Sequence, residues 1–461
     1  MTPGSLLDSR PDTQPVTCKI MIVAGEASGD KHGASLARAI RRINPQINYE
    51  LFGSGGEEMR AAGVETLVDA RDVAIIGIPE IARALGKLYR AYRKLLNAAR
   101  ERRPDAVVLI DWPDFNLRLA RKLHRAGFRV VYYISPQVWA WRGYRVRALR
   151  RDVDRMLVIL PFEEAFYKDA GLEVEYVGHP LAEVVRADAS REEFARRCGL
   201  DAARPIIALL PGSRKKEVYY HLPAMLDAAR RLRNAEFGLR LEGTEHPVPS
   251  KPHASSPKSE IHNRQSAIEV SAARNPQSAI PNPQSEGPQF VVPIASTIDR
   301  EQVETIVKQS GGHLDLAIVE RDAYNALSHS RIAVVASGTA TVEAALLGTP
   351  MVIVYRGSEL NWRLIRPLIR LDTFGMVNLI AGRRIVPELM QHDVTGEKIA
   401  REVSNILCDS GRLDQMKRDL AAVREQLTST SGSASERAAS AITRLIGTAN
   451  AELPGPTTIK A

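Results

Sequence analysis

The chain has 461 residues, 44% of them hydrophobic and 25% charged, and a formal net charge of +9. That length and balance fit a globular protein of two large domains and exclude a fibrous or low-complexity chain. Three widely separated cysteines (Cys18, Cys198, Cys408) lack metal or redox spacing and point to a reducing compartment, and no run of about 18 apolar residues argues for a membrane span.

Residues 1–17 carry Pro, Asp and Ser without the apolar core of a signal peptide, and read as a disordered extension. From Lys19, short apolar runs alternate with amphipathic stretches. Ile20–Ala24, Ala106–Ile110, Val130–Ile134 and Met156–Ile159 read as buried strands, while Leu36–Ile43, Ile81–Ala99 and Leu117–Ala126 have helical spacing. After Gly178-His179-Pro180 a second series begins with Ile206–Leu210, Phe290–Ile294, Leu316–Val319, Ile332–Val335 and Met351–Val354. The expected fold is α/β, with two doubly wound parallel-sheet domains, 18–185 and 186–393, facing a cleft. Helices at 394–447 are expected to pack back across the domains, ahead of a flexible tail at 448–461. Residues 243–287 are rich in Ser, Pro, Asn and Gln, and Asn263–Ile268 nearly recurs as Asn275–Ile280. So little apolar surface cannot offset the entropy of ordering, so this stretch reads as a disordered insertion. Its His246, His253 and His262 lack ligand spacing, and no metal site is expected there.

The first domain carries several polar motifs at strand ends. Gly25-Glu26-Ala27-Ser28-Gly29-Asp30 follows the first run, where glycines let the backbone approach a ligand; the plainer alternative is a turn with Ser28 or Asp30 as helix N-cap. In Asp111-Trp112-Pro113-Asp114-Phe115-Asn116, Asp114 reads as an N-cap, whereas Asp111 sits at the strand tip, where a carboxylate can take a proton from a substrate hydroxyl. Asp152-Val153-Asp154 resembles the metal-binding DxD of some sugar transferases but lies in a basic connector. Ser135–Arg142 places Trp139 and Trp141 beside Arg142, a combination that suits sugars, acyl chains or nucleic acid as well as simple core packing. Residues Arg118–Arg151 contain no acid, and Arg83, Lys87, Arg90, Arg93 and Lys94 follow the apolar Val73–Pro79 with its Ile75 and Ile76. An apolar segment beside cations suits docking on an anionic membrane; a solvated basic face with core packing is the plainer alternative.

In the second domain two buried runs each end in a small-residue loop. Pro211-Gly212-Ser213-Arg214 follows Leu210, and Ser337-Gly338-Thr339-Ala340-Thr341-Val342-Glu343 follows Ala336. Such loops leave backbone N–H groups for a phosphate, Arg214 adds charge-assisted bonds, and Glu343 one turn into the helix can accept ribose hydroxyls. The pair points to a nucleotide-sugar site.

These motifs, with Glu217 and Asn378-Leu379-Ile380-Ala381-Gly382, resemble the lipid-A-disaccharide synthase family in content and order, over most of Lys19 to about Gly447 outside the insertion. The resemblance implies a GT-B glycosyltransferase of two Rossmann-like domains. It would move 2,3-diacylglucosamine from its UDP conjugate to 2,3-diacylglucosamine 1-phosphate (lipid X), inverting the anomeric centre to give the β-1,6 disaccharide 1-phosphate and UDP. It further implies no cofactor, independence of metal, and a peripheral place on the cytoplasmic face of the bacterial inner membrane; a homodimer is compatible with it. By that likeness Asp111, Glu26 and Asn378 are candidates for the chemistry. Ser28, Gly29, Ser213, Arg214, Ser337, Gly338, Thr339, Ala340 and Glu343 would hold the UDP-sugar. Ile75, Ile76, Trp139, Trp141 and Arg142 would meet acceptor or membrane. Val377 stands where many members have proline. A muramyl-lipid glucosaminyltransferase or a UDP-sugar 2-epimerase shares the second-domain logic but not the Asp111 and Trp139/Trp141 motifs. A nucleic-acid-binding protein would explain the charge but not the nucleotide loops, and no nucleic-acid partner is expected.

Overall fold

Runs of β-branched and aliphatic residues without polar alternation fold into strands covered on both faces, which is the environment of a parallel sheet. The computed structural model describes residues 17–70, 81–140, 143–234, 287–310, 314–359, 362–363, 366, 372–428 and 432–451. Its first sheet comprises β1 (Thr17–Val23), β2 (Asn48–Gly55), β3 (Glu65–Asp69), β4 (Ala106–Ile110), β5 (Val130–Tyr133), β6 (Arg155–Val158) and β7 (Val174–Tyr176), in the order β3-β2-β1-β4-β5-β6-β7. The second comprises β8 (Ile206–Leu210), β9 (Gln289–Ile294), β10 (Leu316–Glu320), β11 (Ile332–Ala336), β12 (Met351–Tyr355) and β13 (Glu388–Met390), in the order β10-β9-β8-β11-β12-β13. Neighbouring strands pair in parallel throughout both sheets. Two doubly wound sheets are thus present, as the alternation of runs and helices anticipates. The edge and near-edge strands β2, β3, β7 and β13 are additions to the sequence reading.

Strand order reverses between β1 and β4 in one sheet and between β8 and β11 in the other. Where it reverses, the loops leaving adjacent strands diverge to opposite faces and open a crevice at the carboxyl ends. The loops after β1 and β4 carry Glu26 and Asp111; those after β8 and β11 carry Arg214 and Ser337. All four motif loops therefore border a topological switch point.

The last described helix, Ala434–Ala451, returns to the first sheet. Ala438, Ala439, Ala441, Ile442 and Ile446 are buried in the same cluster as Ile20, Ile22 and Val108. Arg437 Nε donates to the Val177 carbonyl (2.7 Å), and the Ala434 amide donates to Glu183 Oε1 (2.5 Å). Helices Gly396–Cys408 and Ser410–Thr428 instead bury Val403, Ile406, Leu413 and Leu420 in the core of the second sheet. Among the described residues, no helix is long and apolar enough to cross a membrane.

Candidate active site

The first loop pair meets through a glycine. A Cβ on Gly25 would lie 2.1 Å from the Trp112 ring, so only glycine lets that indole lie against the β1 loop. Trp112 also stacks on Phe115, at 3.9 Å between centroids and 8° between planes. Asp111 and Trp112 both stand in the left-handed region, at φ 45° and 50°. For residues with a Cβ this costs about 1–3 kcal/mol each, and it persists only where the surroundings impose it. Here Asn116 Nδ2 donates to the Asp111 and Ile110 carbonyls (2.7 and 3.2 Å), and the Tyr132 hydroxyl donates to the Asp111 carbonyl (2.7 Å). Burial, then the charge of Glu26, pushes the Asp111 carboxyl up to about 6. It is therefore poised to trade a proton near neutrality.

Two capping expectations are corrected. The helix Pro113–Arg125 begins with Pro113, so Asp114 lies inside its first turn, paired with Arg145, and the N-cap position is the left-handed Trp112. Helix Ala27–Ile43 begins at the Gly25–Asp30 loop itself, with Ser28 exposed and Gly29 buried in its first turn. Asp30 does not cap its own helix. Its carboxylate accepts from the amides of Gly56, Glu58 and Met59 (2.6, 3.1 and 3.1 Å), fixing the loop after β2.

The second loop pair is built differently. Gly212, at φ 116°, would drive a Cβ into the Glu217 carboxylate. That carboxylate accepts from the amides of Ser213 and Arg214 (2.9 and 3.2 Å) and pairs with the exposed Arg214 guanidinium at 3.1 Å. The amides expected to be free for phosphate are thus held by an internal anion, a correction to the sequence reading. His221 ties this loop down, with Nδ1 2.8 Å from the Pro211 carbonyl and Nε2 accepting the Arg356 amide at 2.8 Å. Facing it, Ser337 is held by Val354 and Phe374 carbonyls, and the helix Thr339–Leu346 starts at the exposed Gly338. Thr339 and Ala340 occupy its first turn, whose amides have no partner within a helix. Burial raises the Glu343 carboxyl, and a hydrogen bond with the Tyr324 side chain opposes that rise.

Two further expectations change. Asn378 is 1% exposed and its amide is spent inside the protein. Nδ2 donates to Val386 and Glu388, and Oδ1 accepts the Ile385 and Val386 amides. As placed, it braces the 385–388 loop rather than offering a reacting group; Val377 beside it is simply buried. Trp139 likewise serves packing. Its indole donates to the buried Glu163 (3.0 Å), meets Phe162 edge-on and packs against the core of the second sheet. Asp152 is bound by Arg151, and Asp154 accepts the Val130 amide, so neither carboxylate is set for a metal. Ile75, Ile76, Trp141 and Arg142 lie outside the described residues, as does the expected insertion up to residue 286.

The sequence as a whole has clear relatives. A family model described as lipid-A-disaccharide synthetase matches residues 20–275 and 253–443. The chain is 43% identical to the lipid-A-disaccharide synthase of Koribacter versatilis over 428 residues, covering 92% of this chain and 97% of that one. It is 40% identical to that of Solibacter usitatus, covering 93% and 97%. Among solved structures, the UDP-GlcNAc 2-epimerase from Neisseria meningitidis bound to UDP-GlcNAc aligns with a TM-score of 0.56 at 10% identity, over 92% of this chain and 100% of that one, a likeness of fold.

Proposed function

The chain belongs to the lipid-A-disaccharide synthase family and is a glycosyltransferase of lipid A biosynthesis, and we propose that the two switch-point crevices divide its reaction between them. The second holds UDP-2,3-diacylglucosamine and the first presents lipid X. Asp111 takes the proton from the acceptor 6-hydroxyl as that oxygen attacks the anomeric carbon from the face opposite UDP. The departing diphosphate takes up negative charge, which Arg214 and the open end of the helix at Thr339 stabilise. Glu343, steadied by Tyr324, accepts the ribose hydroxyls. Glu26 beside Asp111 orients the acceptor and is the second candidate for the base. Glu217 keeps the nucleotide loop in shape until phosphate oxygens take over its contacts.

The observation that carries this reading is the Asp111 carboxylate: at a switch point, in a left-handed turn, and raised to about 6 by burial and Glu26. The 2-epimerase reading shares the fold but gives such a base on the first sheet no acceptor to deprotonate. The apolar Val73–Pro79 with Ile75 and Ile76, and the exposed basic residues of helix Ile81–Arg102, would bring the site to the inner-membrane surface, where both substrates reside. UDP release from UDP-2,3-diacylglucosamine in detergent micelles tests the proposal. Release should require lipid X and yield one disaccharide 1-phosphate per UDP, with chelator present. Release of UDP with epimerised sugar and no acceptor would overturn it.

A further inference from the structure

Tyr132 is the first of two adjacent tyrosines in β5, and both are buried in the sheet. A phenol inside a parallel sheet needs a partner for its hydroxyl, and this one reaches across to β4 and bonds the carbonyl of Asp111 rather than its carboxylate. Asn116, fully buried on the apolar face of helix Pro113–Arg125, also donates to that same carbonyl and to the Ile110 carbonyl. Two donors from two different elements thus converge on one main-chain oxygen at the point where the backbone turns left-handed twice in succession.

We propose that Tyr132 and Asn116 are positioning residues for the glycosyl transfer, fixing the main chain of Asp111 and thereby the place of its carboxylate. Neither side chain needs to touch substrate. Without the grip, the turn relaxes toward ordinary dihedrals and the carboxylate shifts toward water. The charged or titratable groups that act on it are Glu26 from the β1 loop and Tyr132 from β5; Tyr132 in turn faces Tyr167 and Arg145, the latter from the turn Gly143–Arg145 and paired with Asp114. None of these replaces the lost constraint on the backbone. The inference rests on Asp111 being the base.

The test is Tyr132→Phe in the full chain, which deletes one hydroxyl and leaves the ring packing intact. Turnover should fall roughly 10- to 100-fold, the range of a small misplacement of a reacting group, with the donor KM within about twofold. The acid limb of the kcat/KM–pH profile should move below about 6, because a carboxylate nearer water ionises more readily. Asn116→Leu, which nearly keeps the size, loses the amide donor and adds no charge, should show the same split of kcat from KM. In an Asp111→Asn background, Tyr132→Phe should add no further loss. A folded Tyr132→Phe enzyme with wild-type kcat and pH profile overturns the positioning role while leaving Asp111 as base. So do losses that multiply in the double variant. Near-normal turnover by Asp111→Asn alone overturns the base assignment and the positioning role together.

Discussion

The crevice of the first sheet and that of the second occupy equivalent places in equivalent folds, yet they are built on opposite principles. At the first, a carboxylate is largely withdrawn from water, its backbone is held in a costly conformation, and the charge that acts on it, Glu26, has the same sign. At the second, the strained position is a glycine, the arginine is exposed, and a carboxylate of the chain itself sits on the amides where an anion would bind. In the proposed reaction, the group assigned to take a proton is kept in a setting hostile to its charge, and the site assigned to exchange a charged ligand is pre-filled by a replaceable one. That assignment separates chemistry from binding before any substrate is present.

Three measurements on two substitutions would break or sharpen that contrast. The largest effect is expected from Asp111→Asn, which should lower kcat by about 10²–10⁴-fold with UDP affinity, measured calorimetrically, unchanged. A parallel loss of UDP affinity would merge the two crevices into one function. Next, Arg214→Gln should lower kcat/KM by roughly 10- to 100-fold, the worth of a charge-assisted hydrogen bond of about 1.5–3 kcal/mol, and weaken UDP itself. If UDP bound this variant as tightly as before, the nucleotide would have to lie elsewhere. The smallest effect concerns stability. The folded state raises the Asp111 carboxyl from its ordinary value to about 6, so folding favours the protonated form, and the ionised form is a burden above that pH. Asp111→Asn should therefore melt higher at pH 8, by on the order of 1–2 kcal/mol, with the gain fading as pH falls from about 6 toward 4. An unchanged melting temperature at pH 8 would mean that the carboxylate is better solvated than its surroundings suggest.

The architecture was legible wherever strands were long and apolar. Ala106–Ile110 and Ile206–Leu210 coincide with β4 and β8 because nothing polar interrupts them. β2 is hidden because Glu50 and two glycines break its run, and β7 and β13 because each has only three residues. The motif loops were legible for the same reason, since each directly follows such a run. Their internal wiring was not. Tyr132 reads as one more apolar strand residue, His221 as a helix residue and Glu388 as a surface acid, yet each acts mainly on main-chain groups that no residue type announces. Asn116 did leave a trace. With Leu119, Ala120 and Leu123 it falls on one helical face, and an amide on a buried face has to be bonding something. Asn378 shows the converse. Its motif was recognisable, but whether its amide faced a substrate or the chain's own carbonyls depended on a loop ten residues on.

The return of helix Ala434–Ala451 to the first sheet governs how the protein is made. The first sheet's strands, residues 17–176, leave the ribosome early, but part of their hydrophobic cover is the last described helix. At about 5–20 residues per second, the face that will receive Ala438, Ile442 and Ile446 waits for the whole second domain to be synthesised. During that interval the first half of the chain carries an uncovered apolar surface although its own strands are complete. A nonsense mutation shortly before residue 434 would therefore leave the second sheet with its helices and expose the first. Damage at residues 434–451 would be felt by the sheet translated before them.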